Sequence, residues 1–169
     1  MLGSYIKFYT VAGSDSWTIN DRSSSNAMWS VHPYYYISVS SVDGLTNADV
    51  SYESHPIPNA TGEKSGDVFR RGKTITLTGK ITALNLGALS TGAEYLAQMF
   101  NETGIRKLVF KRLQDSVVVY YKGRISQDLT IVESFENGKY EWDWVVGIRC
   151  DNPRTYKVSD NSLYPSWQT

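Results

Sequence analysis

This sequence contains few cysteines and histidines, and neither sign of charge is in excess. The 169 residues include a single cysteine, Cys150, and two histidines, His32 and His55. One cysteine excludes an internal disulfide framework and a cysteine zinc cluster, and the two histidines lie outside any metal-ligand spacing. Basic and acidic side chains are equal at 17 each, so no basic surplus points to nucleic acid or an anionic membrane.

Long hydrophobic runs and catalytic motifs are also lacking. Nothing resembles a transmembrane segment or a signal peptide, so we expect no membrane partner. The stretch Gly72-Lys73-Thr74 resembles a phosphate loop, but position 67 is Asp67 where that motif requires glycine, and the stretch precedes a strand instead of a helix. Cys150 has no base at a suitable spacing, which favours a small buried residue. We therefore predict no catalytic residue, metal or cofactor, and a protein that is not an enzyme.

Aromatic and β-branched residues are plentiful, and they favour strands. The chain has 12 tyrosines and 5 tryptophans. Alternating segments predict a mainly β fold, a β-sandwich or partial barrel of short antiparallel strands with one packed helix. The length predicts one domain, residues 1–157, followed by a tail at 158–169. The predicted strands are Tyr5–Val11, Trp17–Ile19, Met28–Val31, Tyr34–Val42, a strand from Asp49, Thr74–Thr82, Ile105–Lys111, Val117–Ile125, Leu129–Phe135 and Tyr140–Arg149.

A β-hairpin near the C-terminus is the most detailed local prediction. Asn137-Gly138 is a two-residue turn signal, and one register gives an apolar face and a mostly polar face. The predicted cross-strand pairs are Phe135–Tyr140, Ile131–Trp144 and Leu129–Val146 on the apolar face, and Ser134–Glu141 and Val132–Asp143 on the polar face. Pro153 is expected to end the last strand.

One helix and one irregular segment interrupt the strands. Apolar spacing within Leu84 to Phe100 predicts a helix at about residues 89–101, with Ser90 or Thr91 as its N-cap. The segment from Glu53 to Arg71 has two prolines, two glycines and little periodicity. Such a length without regular structure predicts either a disordered loop or an extended arm that a neighbouring subunit orders.

The order of several short motifs resembles a known family. The motifs are Gly44-Leu45, Asp49-Val50, a loop with Gly62, the run from Arg71 to Ile81, the helix Thr91 to Phe100, and Asp151-Asn-Pro-Arg-Thr-Tyr156. Together, over Trp17 to Tyr156, they resemble the amino-terminal domain of the distal tail proteins of long-tailed bacteriophages, also called minor tail proteins. In the closing signature, Asn152 separates the aspartate from the proline.

The resemblance implies a β-sandwich with a helix and an extended arm, and a structural role in the virion. Six copies are expected to form a homohexameric hub ring at the distal end of the tail, assembled in the host cytoplasm. The ring would join the tail tube protein to the tail-tip, baseplate and tape-measure proteins, and its channel would let DNA pass. The candidate subunit-interface residues of the arm are Pro56, Pro58, Gly62, Phe69, Arg70 and Arg71.

The acidic pair of the predicted hairpin has a hypothesis of its own within the ring. Glu141 and Asp143 are candidate channel-lining residues that would repel DNA phosphates; the alternative for them is an ordinary solvated strand face.

Two further functions stay open beside the ring. A carbohydrate-binding, receptor-binding module would use Trp29 and Tyr34 to Tyr36 as stacking platforms. A tail tube subunit would stack into long polymers.

Overall fold

Strict alternation of side chains explains why the central strand of the fold forms. In the stretch from Lys73 to Ala83, every second residue from Lys73 to Ile81 is buried, while the threonines between them face outward. Two-residue periodicity places one set of side chains on each face of a strand. The predicted strand Thr74–Thr82 is therefore confirmed.

The computed structural model describes residues 5–14, 16–19, 34–45, 50–56, 63–70, 72–111, 117–134 and 140–163. The elements in these ranges are β1 (Tyr5–Tyr9), β2 (Ser16–Ile19), β3 (Tyr35–Asp43), β4 (Val50–Pro56), β5 (Glu63–Arg70), β6 (Lys73–Ala83), α1 (Leu86–Phe100), β7 (Arg106–Lys111), β8 (Val118–Val132), β9 (Glu141–Cys150) and β10 (Tyr156–Lys157). The predicted strand Met28–Val31 lies outside the described residues.

Eight of the strands form one antiparallel sheet. Their order is β2-β1-β7-β8-β9-β6-β3, and β10 pairs with β8 beside this path. Within the described strands, the sheet is not closed into a barrel. The prediction of a mainly β fold with one packed helix is confirmed. Strands β4 and β5 pair with each other in a separate two-stranded sheet, which we call the ribbon.

Strand β8 connects two halves of the large sheet. Its beginning pairs with β7, and its end, from Arg124 to Val132, pairs with β9. We call β1, β2, β7, β10 and the beginning of β8 the first half-sheet, and β3, β6, β9 and the end of β8 the second. The sequence predicts two separate strands here; the structure has one, because two register shifts between Ile125 and Thr130 change the pairing without breaking the strand.

The predicted register of the hairpin is confirmed in part. Two pairs are present, Ile131 with Trp144 and Val132 with Asp143. The register shift between Gln127 and Thr130 removes the predicted pairing of Leu129 with Val146. The ladder ends at Val132, before the predicted pair Ser134–Glu141. The predicted turn at Asn137-Gly138 and the residue Phe135 lie outside the described residues.

Helix α1 covers the core, and its N-cap differs from the prediction. The helix buries Leu89, Leu96, Met99 and Phe100. Its N-cap is Asn85, whose side-chain oxygen accepts the Ala88 N–H at 2.8 Å. The prediction of Ser90 or Thr91 was wrong because the helix begins one turn earlier, directly after β6.

A single core joins the two half-sheets. The Phe100 ring lies edge-on to Phe8 of β1 at a centroid distance of 5.0 Å and lies 5.9 Å from Trp144 of β9. Side chains from the inner faces of both halves thus meet the same helix. The outer faces of the two half-sheets consequently point away from this shared core.

The C-terminal segment folds back beside the first half-sheet. Strand β10 pairs with β8, the Val158 N–H donates to the Val118 carbonyl at 2.9 Å, and Leu163 bridges to Tyr156. Of the predicted tail 158–169, the structure describes residues 158–163. No described helix has the length and apolar character needed to cross a membrane.

Candidate assembly surfaces

The segment predicted to lack regular structure forms the ribbon. The ladder of β4 and β5 runs from Val50 opposite Arg70 to Pro56 opposite Glu63, with a register shift near Gly66. The prediction of an irregular stretch was wrong over these two strands. Proline and glycine misled it: Pro56 is the last residue of its strand, a position that tolerates proline, and the register shift accommodates Gly66.

The six predicted arm residues fall into two groups. Pro56, Phe69 and Arg70 belong to the ribbon strands, whereas Pro58, Gly62 and Arg71 lie outside the described residues. Within the part of the chain that the structure describes, neither ribbon strand joins the large sheet. The ribbon is therefore a separate pairing unit inserted between β3 and β6.

A buried lysine holds the base of the ribbon together. The Lys73 ammonium donates to the Leu45 carbonyl at 2.9 Å and lies 4.1 Å from the centroid of the Tyr121 ring. The Tyr121 hydroxyl donates to the same carbonyl at 3.4 Å. Lys73 is only 6% exposed, and a buried ammonium requires such partners. We call Leu45, Lys73 and Tyr121 the clasp; it joins the chain entering the ribbon to the chain leaving it.

Two glycines beside the clasp are required by close backbone contacts. Gly44 has φ +82, and a Cβ there would lie 2.0 Å from the Thr74 carbonyl oxygen. A Cβ on Gly72 would lie 2.6 Å from the Cys150 carbonyl oxygen. The motifs Gly44-Leu45 and Gly72-Lys73, which flank the ribbon in sequence, therefore meet in space for a structural reason.

The closing motif after β9 is a hydrogen-bonded turn. The Asp151 carboxylate forms an ion pair with Arg124 at 3.2 Å and a longer one with Arg149 at 3.8 Å. Asn152, the residue that departs from the family signature, donates from Nδ2 to the Tyr156 hydroxyl at 3.1 Å and accepts the Arg154 N–H at 3.0 Å. Asn152 thus stabilises the turn that leads into β10.

Cys150 is a buried residue, as the sequence predicts. Its side chain is 0% exposed at the end of β9, and burial raises the pKa of its thiol to about 11. A thiol with such a pKa is protonated near neutral pH and is a poor nucleophile. The described residues contain no group of three or more histidine, cysteine, aspartate or glutamate side chains placed to hold a metal ion, and nothing in them shows a catalytic site.

The acidic pair Glu141 and Asp143 lies on the outer face of β9 with a lysine between the two carboxylates. The Lys80 ammonium on β6 is 3.6 Å from a Glu141 oxygen and 3.9 Å from an Asp143 oxygen. All three side chains are well exposed, so these ion pairs contribute little stability. Lys80 offsets part of the negative charge on which the channel hypothesis depends.

A basic and aromatic surface on the first half-sheet escaped the sequence analysis. Its ladder positions hold four lysines, Lys7, Lys107, Lys111 and Lys122, with Tyr9, Tyr156 and the buried Tyr120. The Lys107 ammonium lies 4.1 Å from the Tyr120 ring centroid, and Tyr120 and Tyr156 stack at 5.3 Å. The only sequence signal is the alternation of lysine and tyrosine in β1 and β8, which becomes a surface once the strand order is known.

The predicted sugar platform has one exposed member among the described residues. Tyr34 is 62% exposed, Tyr36 is half-buried and Tyr35 is in the core; Trp29 lies outside the described ranges. Tyr34 and Tyr140 flank the end of β6, where their carbonyls accept the N–H groups of Leu84 and Ala83. Tyr34, Tyr140 and Leu84 form an exposed apolar corner of the second half-sheet.

Comparison with known proteins finds a structural likeness to a phage protein. No family model matches the chain, and no curated protein matches it by sequence. Among solved structures it is similar to the SPP1 Dit (gp 19.1) protein, described as a paradigm of the hub adsorption apparatus in phages that infect Gram-positive bacteria. The TM-score is 0.60 at 12% sequence identity, over 91% of this chain.

The alignment covers 52% of the SPP1 protein, so this chain spans about half the length of that structure. At 12% identity the likeness shows a shared fold. The chain therefore has a Dit-like fold, and the resemblance noted in the sequence is confirmed at the level of the fold.

Proposed function

We propose that this protein is a structural component of a bacteriophage tail and forms the distal hub ring. The observation that carries the proposal is the fold match to the SPP1 Dit protein over 91% of the chain. The sequence motifs give independent support, because those that resemble distal tail proteins flank the ribbon and meet at its base.

The ribbon supports assembly with other copies. A two-stranded ribbon is marginally stable alone in water, and this one pairs only with itself among the described strands. A neighbouring copy would supply the missing support. Repeated in one direction around six copies, this contact closes a homohexameric ring, with Pro56, Phe69 and Arg70 at the contact and Pro58, Gly62 and Arg71 next to it.

Within the virion, the ring joins the tail tube protein to the tail-tip and tape-measure proteins at the distal end of the tail, and DNA passes through its channel. Glu141 and Asp143 have two alternative uses in such a ring, and the same carboxylates cannot serve both. On the channel wall they would repel phosphates, and replacing both with lysine would slow DNA ejection from assembled tails. At a boundary between copies they would bind a basic surface, and that use is developed below.

The first experiment measures the mass of the purified chain by light scattering, with negative-stain images of the same fraction. We expect a ring of about six subunits, since a head-to-tail contact closes into a ring. A second sample replaces residues 50–70 with a short glycine-serine linker. Because the ribbon is outside the large sheet, this sample is expected to be a folded monomer.

Two results would contradict the proposal. A wild-type chain that stays monomeric at high concentration would not be a self-assembling hub. Long stacked polymers in the images would instead indicate a tail tube subunit. If the sample without the ribbon is unfolded, the ribbon belongs to the core and the assignment of the contact to it is wrong.

A carbohydrate-binding module is the second candidate function, and the exposed tyrosines at the end of β6 favour it. Tyr34 and Tyr140 present aromatic surface that suits stacking on sugars. Glycans added to the protein would then change its aromatic fluorescence, and Tyr34→Ala would remove the response. No response across a glycan panel would exclude this function for the corner.

A further inference from the structure

We propose that neighbouring copies in the ring bind through complementary charge: the basic face of one copy, Lys7, Lys107, Lys111 and Lys122, contacts the acidic end of the next, Asp128, Glu133, Glu141 and Asp143. The inference rests on the proposed ring and names surfaces that hold its copies together. The occupant of the basic face is thus a second copy of this chain.

The basic face is built by strand register. Lys107 lies directly opposite Lys122 across β7 and β8, and Lys7 pairs with Val109, which shares a face with Lys107. All four lysines occupy the outer face, because the intervening residues Leu108 and Phe110 belong to the core. Directly opposed like charges destabilise a sheet, so the pair Lys107–Lys122 favours an anionic partner.

The two central lysines of this face, Lys107 and Lys122, are each other's ladder partners. The Lys107 ammonium instead lies over the ring of Tyr120. Contact with an aromatic ring holds its long side chain in place, which lowers the entropy cost of binding an anion.

The acidic end lies at the opposite end of the same strand. Asp128 is in β8 and Glu133 directly follows it, both exposed, and Glu141 and Asp143 lie on the adjoining outer face of β9. Lys80 is the cation that contacts this pair. Between the two surfaces, Arg124 and Arg149 share the carboxylate of Asp151. Strand β8 therefore runs from a lysine-rich surface to a carboxylate-rich end.

The positions of the two surfaces suit a head-to-tail contact. The basic face and the acidic end are different surfaces of one subunit, separated along β8 by Arg124 and its ion pair with Asp151. Contact between two different surfaces generates a heterologous interface, which closes into a ring when the rotation permits. Complementary charge fixes the register and orientation of such a contact.

A second copy fits the basic face better than a nucleic acid does. The chain has 17 basic and 17 acidic side chains, whereas nucleic-acid-binding domains carry a basic surplus. The rings of Tyr120 and Tyr156 already stack on each other, so they are not platforms for bases. A balanced chain that separates its charges onto two surfaces is complementary to itself.

Two charge-reversed proteins test the contact. One carries Lys107→Glu with Lys122→Glu, and the other carries Glu141→Lys with Asp143→Lys. In each protein alone the altered surface carries two lysines and two carboxylates, so its net attraction to the other surface is lost, and we expect the concentration for half-assembly to rise by about tenfold or more. Mixed in equal amounts, the two proteins regain complementary contacts in alternation, so rings return at the wild-type concentration.

The control is Glu94→Lys, an exposed change on α1 outside both surfaces, which is expected to leave assembly unchanged. Circular dichroism and thermal melting check that every variant is folded. Rings that persist in either charge-reversed protein, or folded proteins that do not assemble on mixing, overturn the charge contact. A wild-type chain without rings is a different result and overturns the proposed hub.

Binding of a duplex DNA probe gives one more arm. If Lys107→Glu with Lys122→Glu still forms rings but loses salt-dependent binding of the duplex, the face serves phosphates, and the contact between copies is wrong. Wild-type rings that dissociate as salt rises, without duplex binding, support the contact, because exposed charges are screened by salt.

Discussion

The large sheet and the ribbon are built from the same backbone pairing but differ in what supports them. Strand β6 has a hydrogen-bonded neighbour on each side, β9 and β3, and buries Ile75, Leu77 and Ile81. Among the strands that the structure describes, β4 and β5 pair only with each other. Pairing alone gives a marginal structure, whereas pairing with a shared apolar core gives a stable one. The sheet is therefore the scaffold, and the ribbon is the part suited to a partner.

The largest expected effect comes from a substitution within the large sheet. A Cβ at Gly79 of β6 would lie 2.0 Å from the Ser38 carbonyl oxygen and 2.5 Å from the Trp144 ring. Gly79→Ala is expected to lower the free energy of unfolding by about 3 kcal/mol or more, measured by urea denaturation. The control is Gly13→Ala, where φ is +75 but nothing lies within 4 Å, and the cost is about 1 kcal/mol. Equal costs would contradict the close packing at Gly79.

The next effect tests how the helix is attached to the sheet. The Arg106 guanidinium, 4% exposed, donates to the carbonyls of Met99 and Glu102 at the end of α1. Arg106→Met leaves these acceptors without a donor and is expected to cost about 2 kcal/mol. The exposed Arg124, paired with Asp151, gives the control Arg124→Met, with a loss below about 1 kcal/mol. Similar melting temperatures for both variants would argue against a buried cap.

A smaller effect sharpens the comparison at the clasp. Lys73→Met removes the 2.9 Å bond to the Leu45 carbonyl and is expected to cost about 1 kcal/mol. Amide hydrogen exchange should speed up in the ribbon more than in β6 and β9, because the clasp holds the base of the ribbon. Tyr121→Phe, which keeps the ring beside Lys73 and removes the hydroxyl with its 3.4 Å contact, is the matched control. A uniform increase in exchange would mean that the clasp supports the sheet instead.

The last effect is absent at neutral pH, appears only at alkaline pH, and concerns the buried thiol at the end of β9. Burial raises the pKa of Cys150 to about 11 from an ordinary value of 9.0. The unfolded chain loses this proton first, so the contribution is fully present below pH 9 and declines as pH rises toward 11. Urea unfolding between these values should show a steeper loss of stability for wild type than for Cys150→Ala. Parallel profiles would show that the thiol does not contribute.

Local patterns predicted much of the sheet. The alternation in β6, the pairing of Ile131 with Trp144 and the apolar face of α1 were all visible in the sequence, because each depends on residues close to one another or on one hairpin. The N-cap at Asn85 was missed, since Gly87 disfavours helix in the first turn and Ser90 and Thr91 offered competing caps.

Features that depend on strand order were beyond a linear pattern. The clasp joins residues 28 positions apart, and the basic face combines lysines from β1, β7 and β8. The ribbon was missed for a different reason: prolines and glycines concealed strands whose pairing tolerates them at a strand end and at a bulge. The surfaces proposed for assembly therefore consist of residues that are distant in sequence and come together only in the folded protein.

Because of the clasp, the ribbon can be replaced by another hairpin without changing the large sheet. Because the chain enters at Leu45 and leaves at Lys73 through one ammonium-to-carbonyl contact, the ends of the excursion stay fixed whatever its length. The free-energy cost of closing a loop grows only with the logarithm of its length, by about 0.6 kcal/mol for each doubling. A longer, shorter or foreign hairpin grafted between these two residues would leave the scaffold intact, so the ribbon, which we propose contacts a neighbouring copy, can change while the sheet that carries it stays the same.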